Sequence, residues 1–310
     1  MSGLQILLYL SVLFFTVVVA AKMIRIALMP VHLRWDLYPI PHEKGKGKYG
    51  GSYFEEVDWW NKPNDFSLFS ELKEMGKEIF FLHSVWEHNR PLWVFSFPFH
   101  IGMYSLIGFL FLLVLGAILE ATGIAVTSAS SSVPGVALHY LTIVMGAVGW
   151  VLSIFGAFGL LLSRAFGRDL QGSSVFSDYV NLVFLLAVFV AGFLSWVTTD
   201  PDYAALRGFV QALITFSPAT SLPTITALQL WLAAGLLVYF PFTHMTHVFA
   251  KYFTYHSVRW EDKPNLPGSK LEKEISKTLG YRVTWAASHI KSGATWAEAA
   301  TAGEQEDKDE

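Results

Sequence analysis

Apolar residues in this chain come in long unbroken blocks, not in the alternations or narrow stripes of a soluble fold. Five blocks are long enough for a helix to cross a bilayer, which takes roughly 20 residues. They run near Leu4–Ala21, Leu92–Leu119, Ala137–Leu162, Tyr179–Val197 and Ile225–Phe249. They predict an all-α integral membrane protein built as a five-transmembrane-helix bundle. The first block reads as a retained helix and not a signal peptide, because its first positive charge, Lys22, follows the apolar run.

Two stretches break this pattern. Residues 22–91 open with a Pro- and aromatic-rich run, Pro30 to His42, which favours extended backbone. A Lys/Gly-rich turn at Lys44–Gly51 follows. Asp65 is placed to cap a helix from Ser67 to about Phe81, with Leu68, Leu72, Met75, Ile79 and Leu82 as its apolar stripe. Lys73, Glu74, Lys77 and Glu78 take its other side. Such a helix suits the membrane interface, and an insertion of this length also suits the docking of a soluble subunit. The second stretch is the tail at 251–310, with an amphipathic run near Leu271–Leu279 and an acidic end, Glu304–Glu310, expected to be disordered. The organisation expected is a first transmembrane helix (1–21), a cytoplasmic insertion (22–91), a four-helix membrane core (92–250) and a cytoplasmic tail (251–310).

Composition agrees with the blocks. The chain is 53% hydrophobic and 15% charged, with mean hydropathy +0.42, whereas soluble domains carry about 25% charged residues. Charge adds an orientation: of the 22 lysines and arginines, all but Arg207 fall on one face of the predicted bundle. By the positive-inside rule that face is cytoplasmic, with the N-terminus outside and the C-terminus inside. There is no cysteine, so the chain carries no disulfide, no thiolate zinc site and no iron–sulfur cluster of its own. A redox metal here has to use histidine, methionine, tyrosine or carboxylate. No nucleic-acid partner is expected.

Two histidines sit inside apolar blocks, where a histidine is expensive and a functional candidate. His100 lies in Phe97-Pro98-Phe99-His100-Ile101-Gly102, and His247 lies in Phe240-Pro241-Phe242-Thr243-His244-Met245-Thr246-His247. Both fall near the basic edge. At equal depth on antiparallel helices they can clamp a planar metal cofactor such as haem; equally, they can be two interfacial histidines bonded to neighbouring carbonyls. Gly102, Gly108 and Gly235 leave room for a flat ligand or a close helix. His244, three residues before His247, is an alternative ligand or a partner for a haem propionate. Arg90 and Lys251 lie at the same edge and suit propionates too. On the other side, Glu120, His139 and Gln229 are candidates for a quinol site, although helix ends are often polar without function. His32, His42, His83, His88, His256 and His289 read as solvated or docking residues.

The run from Gln229 to His247, with its glycine, its Phe-Pro-Phe and its terminal histidine, resembles the last transmembrane helix of the gamma (cytochrome b) subunit of respiratory nitrate reductase. Phe99-His100-Ile101-Gly102 resembles the start of that family's second helix. The glycine-rich Gly146–Ser163 and the Arg164–Asp178 loop fit as well. The insertion at 30–93 looks more like relatives found beside heterodisulfide-reductase-like iron–sulfur proteins, in membrane redox complexes of the Dsr and Tmc types. The resemblance implies haem b held by His100 and His247. Relatives usually hold a second, outer haem, and its ligand positions are matched here by Leu110 and Gln229, so one haem is expected; His139 could serve an outer haem only with a second ligand.

The function implied is a multi-pass subunit of a bacterial or archaeal cytoplasmic membrane. It would pass electrons between menaquinol or ubiquinol and a cytoplasmic iron–sulfur subunit, with substrate chemistry elsewhere in the complex. The competing readings are a cofactor-free membrane anchor for a soluble redox enzyme, which leaves both histidines unexplained, and a small-solute transporter. Against the transporter, polar residues gather at the two faces and leave an apolar middle at Leu106–Leu119 and Leu230–Tyr239.

Overall fold

Backbone that leaves water must bond within its own segment, and each apolar block does so as a helix. The computed structural model describes residues 2–29, 40–45, 51–287 and 290–302, with backbone alone at 168 and 169. Residues 30–39, the turn at 46–50, the acidic end at 304–310, His32 and His289 lie outside the described residues. In chain order the helices are α1 (Gly3–Ala27), α2 (Leu68–Phe81), α3 (His83–His88), α4 (Arg90–Ala121), α5 (Val133–Phe166), α6 (Arg168–Gln171), α7 (Phe176–Thr198), α8 (Ala204–Ile214), α9 (Thr224–Tyr239), α10 (His247–Phe253), α11 (Lys270–Leu279) and α12 (Trp296–Thr301). Among the described residues five segments are long and apolar enough to cross a membrane: α1, α4, α5, α7 and Thr224–Phe242. The all-α, five-span bundle is therefore the observed fold.

The chain divides into two compact units, Met1–Val19 with Leu72–Thr246, and Ala20–Glu71 with His247–Glu310. In the first, α5 packs along α4, α7 along α5, and α9 along α7, while α8 packs on α4. The α4–α5 pairing is antiparallel and very close. A Cβ on Gly156 would meet the Phe99 backbone nitrogen at 2.5 Å, and one on Gly102 would run into the backbone of Ser153. Gly102 thus serves helix contact, not a flat ligand.

Several elements differ from the sequence expectation. α4 and α5 extend beyond their apolar blocks, to Arg90 and Phe166. The last span does not run to Phe249. Its α-helix ends at Tyr239, tight turns follow at Phe240–Phe242 and His244–Thr246, and a new helix starts at His247. Pro241 explains the break: it has no N–H for the helix ladder, and its ring clashes with the carbonyl four residues back. His244 and His247 therefore do not share one helical face. α2 forms as expected, but Ser67 caps it: the Ser70 N–H donates to Ser67 Oγ (3.4 Å), while the Asp65 carbonyl accepts from the Lys44 N–H (2.9 Å).

α8 was not anticipated. The Asp200 carboxylate starts it by accepting from the Ala205 and Leu206 N–H groups (3.0 and 2.8 Å), the work of a helix N-cap. In the second unit Ile40, Tyr53, Tyr255, Trp260 and Val283 are buried. α11 and α12 are capped by Ser269 and Thr295, whose side chains accept from the Glu272 and Glu298 N–H groups.

Candidate functional site

His100 sits on α4, one residue after the Phe99 that Gly156 admits against α5. Its Nδ1 stands 2.7 Å from the Ser96 carbonyl oxygen, a contact that requires the proton on Nδ1. That hydrogen bond fixes the ring and places the lone pair on Nε2, as in metal-bound histidines oriented by a backbone carbonyl. His247 is exposed at the first turn of α10, in the other unit.

His244 ends a polar network at the same end of the first unit as the α7 N-terminus. The Tyr239 hydroxyl donates to Asn181 Oδ1 (2.8 Å), and Asn181 Nδ2 lies 3.4 Å from His244 Nδ1. Asp178 Oδ1 is 3.6 Å from that nitrogen. The other Asp178 oxygen accepts from Arg164 Nη1 (3.2 Å) and from the Val175 N–H (3.1 Å). Neither Asn181 nor Asp178 was singled out from the sequence; a polar pair at i, i+3 opening an apolar helix was the available signal. Arg90 stacks its guanidinium on Trp86 (4.8 Å), and Lys251 Nζ stands 5.7 Å from the Tyr255 ring centroid.

At the opposite end of the unit, Glu120 and His139 belong to a network built on Arg207, which is 2% exposed. Arg207 Nε donates to Glu120 Oε1 (2.8 Å), Nη2 to the Val126 carbonyl (2.8 Å) and Nη1 to the Asp202 carbonyl (3.3 Å). The Asp202 carboxylate in turn lies 3.9 Å from His139 Nε2. His139 is 4% exposed, and its Nδ1 has no hydrogen-bond partner among the described residues. Gln229 is buried on α9 one turn from Thr226, whose hydroxyl bonds that of Ser195 (2.7 Å). Arg207 is the one lysine or arginine off the basic face in the sequence, and that isolation is the signal that it needs a buried partner.

Tyr203 closes this end. Its hydroxyl accepts from Trp150 Nε1 (3.0 Å) and presses on Gly146, and its ring meets Phe109 at 4.6 Å. Burial pushes its phenol well above the ordinary 10.0; the indole N–H pulls the other way, and Asp200 adds to the rise. Leu110, by contrast, is 57% exposed and points away from this core.

His42 is not a solvated residue, and His256 is only partly exposed. His42 is buried against Asp262, and His256 bonds Glu71.

A profile of the nitrate reductase gamma subunit family matches residues 84–261, more than half of the chain and a range that includes both His100 and His247. The respiratory nitrate reductase 2 gamma chain of Escherichia coli (strain K12) is 27% identical over 139 residues, 41% of this chain and 61% of the relative. The chain thus aligns with less than two thirds of that relative's length. With five apolar helices, the match makes this a multi-pass protein of the cytoplasmic membrane.

Proposed function

The chain belongs to the nitrate reductase gamma subunit family, and from that premise we propose that it is a membrane cytochrome b subunit. It passes electrons between a quinone pool and an iron–sulfur partner on the basic, cytoplasmic face. The observation that carries this reading is the family match across His100 and His247, joined to the carbonyl-oriented ring of His100. When bound, haem b supplies a one-electron iron couple. The pairing of His100 with His247 as its ligands rests on the register of the two motifs. His244, Arg90 and Lys251 are the side chains that would face its propionates.

A second haem is not part of the proposal. Leu110 offers no ligating atom and faces outward, and Phe109 beside it packs on Trp150 and Tyr203. Among the quinone candidates, Glu120 is committed to Arg207. His139 is the better hydrogen-bond partner for a quinol, with a buried, unsatisfied Nδ1 and with Asp202 beside its Nε2 as the route by which a proton reaches the surface. With no cysteine in the chain, the iron–sulfur clusters belong to a partner, heterodisulfide-reductase-like by the character of the insertion. Residues 22–91 and the tail are its docking segments.

The test is a reduced-minus-oxidised spectrum of the purified protein with haem counted per chain. The expected result is a b-type α-band from about one haem, lost in His100→Ala and in His247→Ala and kept in His139→Ala. Absence of the band overturns the reading. Loss in His244→Ala with retention in His247→Ala moves the ligand by three residues.

A further inference from the structure

Trp93, Phe97, His100 and Tyr104 follow one another at helical spacing and make one stripe along α4. The stripe lies roughly a third of a turn round the helix from Phe99, which meets α5 at Gly156. Both ends of it reach the corner between α2 and α3, within the unit Met1–Val19 with Leu72–Thr246. The Tyr104 hydroxyl donates to the Ile79 carbonyl (2.8 Å), and Trp93 Nε1 donates to the Phe81 carbonyl (2.8 Å). The Cα atoms of the two donors are roughly 16 Å apart along α4, at about 1.5 Å per residue. The two acceptors sit on the same turn of α2. The donor side chains must therefore converge, and the level between them is that of Phe97 and His100.

α2 needs these donors. The last carbonyls of a helix have no partner within it, and in apolar surroundings an unpaired carbonyl is costly. α2 cannot run on, because Leu82 turns the chain with φ 50 and ψ 49, a left-handed conformation that bulky residues avoid. Leu82 is buried nonetheless. A residue so strained persists only where its surroundings hold it, and the two bonds from α4 fall just before it. Ring contacts add to the hold. Trp93 stacks on Phe97 (4.5 Å) and meets Trp86 of α3 edge-on (4.8 Å), while Phe80 of α2 meets Tyr104 (6.2 Å). The Tyr104 ring lies 6.3 Å from the His100 imidazole. Trp86 also carries the Arg90 guanidinium at 4.8 Å, so the corner places a side chain that the haem reading assigns to a propionate.

Resting on the haem reading, we propose that the α2–α3 corner is a fixed cover over His100, with Trp93 and Tyr104 as the positioning residues that hold it. The cover keeps water from the haem that His100 ligates and so sets its reduction potential. Iron with a porphyrin dianion and two neutral imidazoles carries a net positive charge when oxidised and none when reduced. Excluding water disfavours the charged form and raises the potential. Loosening the cover admits water and lowers it.

The experiment is a redox titration of the haem band in the full-length protein in detergent. Tyr104→Phe and Trp93→Phe each keep an aromatic ring and remove the donor. Each should lower the midpoint, and in the double variant the ferric-to-ferrous ratio at the wild-type midpoint should rise about tenfold, ~59 mV for one electron. Tyr9→Phe removes a bond of the same kind, from the Tyr9 hydroxyl to the Leu213 carbonyl (2.6 Å) between α1 and α8, and should leave the midpoint in place. Hydrogen exchange gives a second readout that needs no haem. The amides at Ile79–Leu82 should exchange faster in Tyr104→Phe and Trp93→Phe, with helicity by circular dichroism unchanged. Midpoints equal to wild type, an equal shift in Tyr9→Phe, or unchanged exchange at the corner overturns the proposal. A wild type without haem sinks the haem reading and this one with it; haem at an unmoved potential sinks this one alone.

Discussion

The two ends of the unit Met1–Val19 with Leu72–Thr246 handle charge in opposite ways. At the α8 end, all three kinds of guanidinium nitrogen of Arg207 donate to protein oxygens, and the side chain is 2% exposed. At the histidine end, Arg164, Asp178, Asn181 and Tyr239 make a network of similar size, but it runs out to His244, whose side chain is 58% exposed. The guanidinium at the centre of the first network is closed off, although Asp202 at its margin reaches the surface, so the groups around Arg207 hold the fold and depend on one another. The second is open, and its outermost residue stays within reach of a ligand or partner. Similar side chains thus serve stability at one end and accessibility at the other, and the two roles should separate under mutation.

The largest effect expected is at Arg207. Arg207→Met leaves Glu120 partly buried without its counter-charge, which should cost about 3–5 kcal/mol, toward the lower figure because the Glu120 side chain is 23% exposed. Thermal unfolding in detergent reads it, and adding Glu120→Leu should recover much of the loss. His244→Ala should change stability by no more than about 0.5 kcal/mol. Equal destabilisation by the two single variants would break the contrast between the ends.

Next is the contact between them that holds His100. Gly156→Ala puts a methyl group on the Phe99 backbone, which cannot turn aside as a side chain can. Overpacking of that kind costs about 1–3 kcal/mol. Because Phe99 precedes His100, the variant should also alter the haem absorption band proposed to depend on His100, whereas Arg207→Met should lower stability and leave that band in place. A Gly156→Ala protein with an unchanged spectrum and stability would show that the α4–α5 approach does not set the position of His100.

How much of this was legible in the sequence depended on how local its cause was. The spans follow from block hydrophobicity, and all five form. The end of the last helix at Tyr239 was also legible in principle, since Pro241 is a local breaker, but the apolar run beyond it masked the stop. α8 was hidden because its start is set by Asp200, three residues before a Tyr203 held at φ 53, a conformation that sequence patterns do not announce for a bulky residue. The burial of His42 and the pairing of His256 had no local signature at all: polar, charged flanks read as solvated, and their partners come from segments 220 and 185 residues away. Glu120 is a quinol-site candidate by its level in the membrane, and only the fold shows that Arg207 reaches it.

A smaller effect tests whether the closed end also depends on its helix cap. Asp200→Ala removes the acceptor for two N–H groups at the start of α8 and should cost about 1–2 kcal/mol, with Asp200→Asn recovering part of it. The loss should appear in unfolding and not in the spectrum. A spectral change would mean that α8 reaches the histidine end.

The smallest effect at neutral pH is expected from Tyr203→Phe, about 1 kcal/mol for the lost acceptor of the Trp150 N–H. Its value lies in the pH dependence. Burial raises the Tyr203 phenol above its ordinary 10.0, so above that pH the folded protein keeps a proton that the unfolded chain releases. The folded state then binds more protons than the unfolded state, and stability falls as pH rises. The contribution is fully present below pH 10.0 and is lost progressively above it. Wild-type unfolding temperature should therefore drop more steeply than that of Tyr203→Phe on the alkaline side of pH 10.0, and the two curves should run parallel below it. Tyr239→Phe, which alters a tyrosine of the open network, serves as the matched control. If Tyr239→Phe flattened the alkaline drop as much as Tyr203→Phe does, the closed end would have no special claim to a buried phenol.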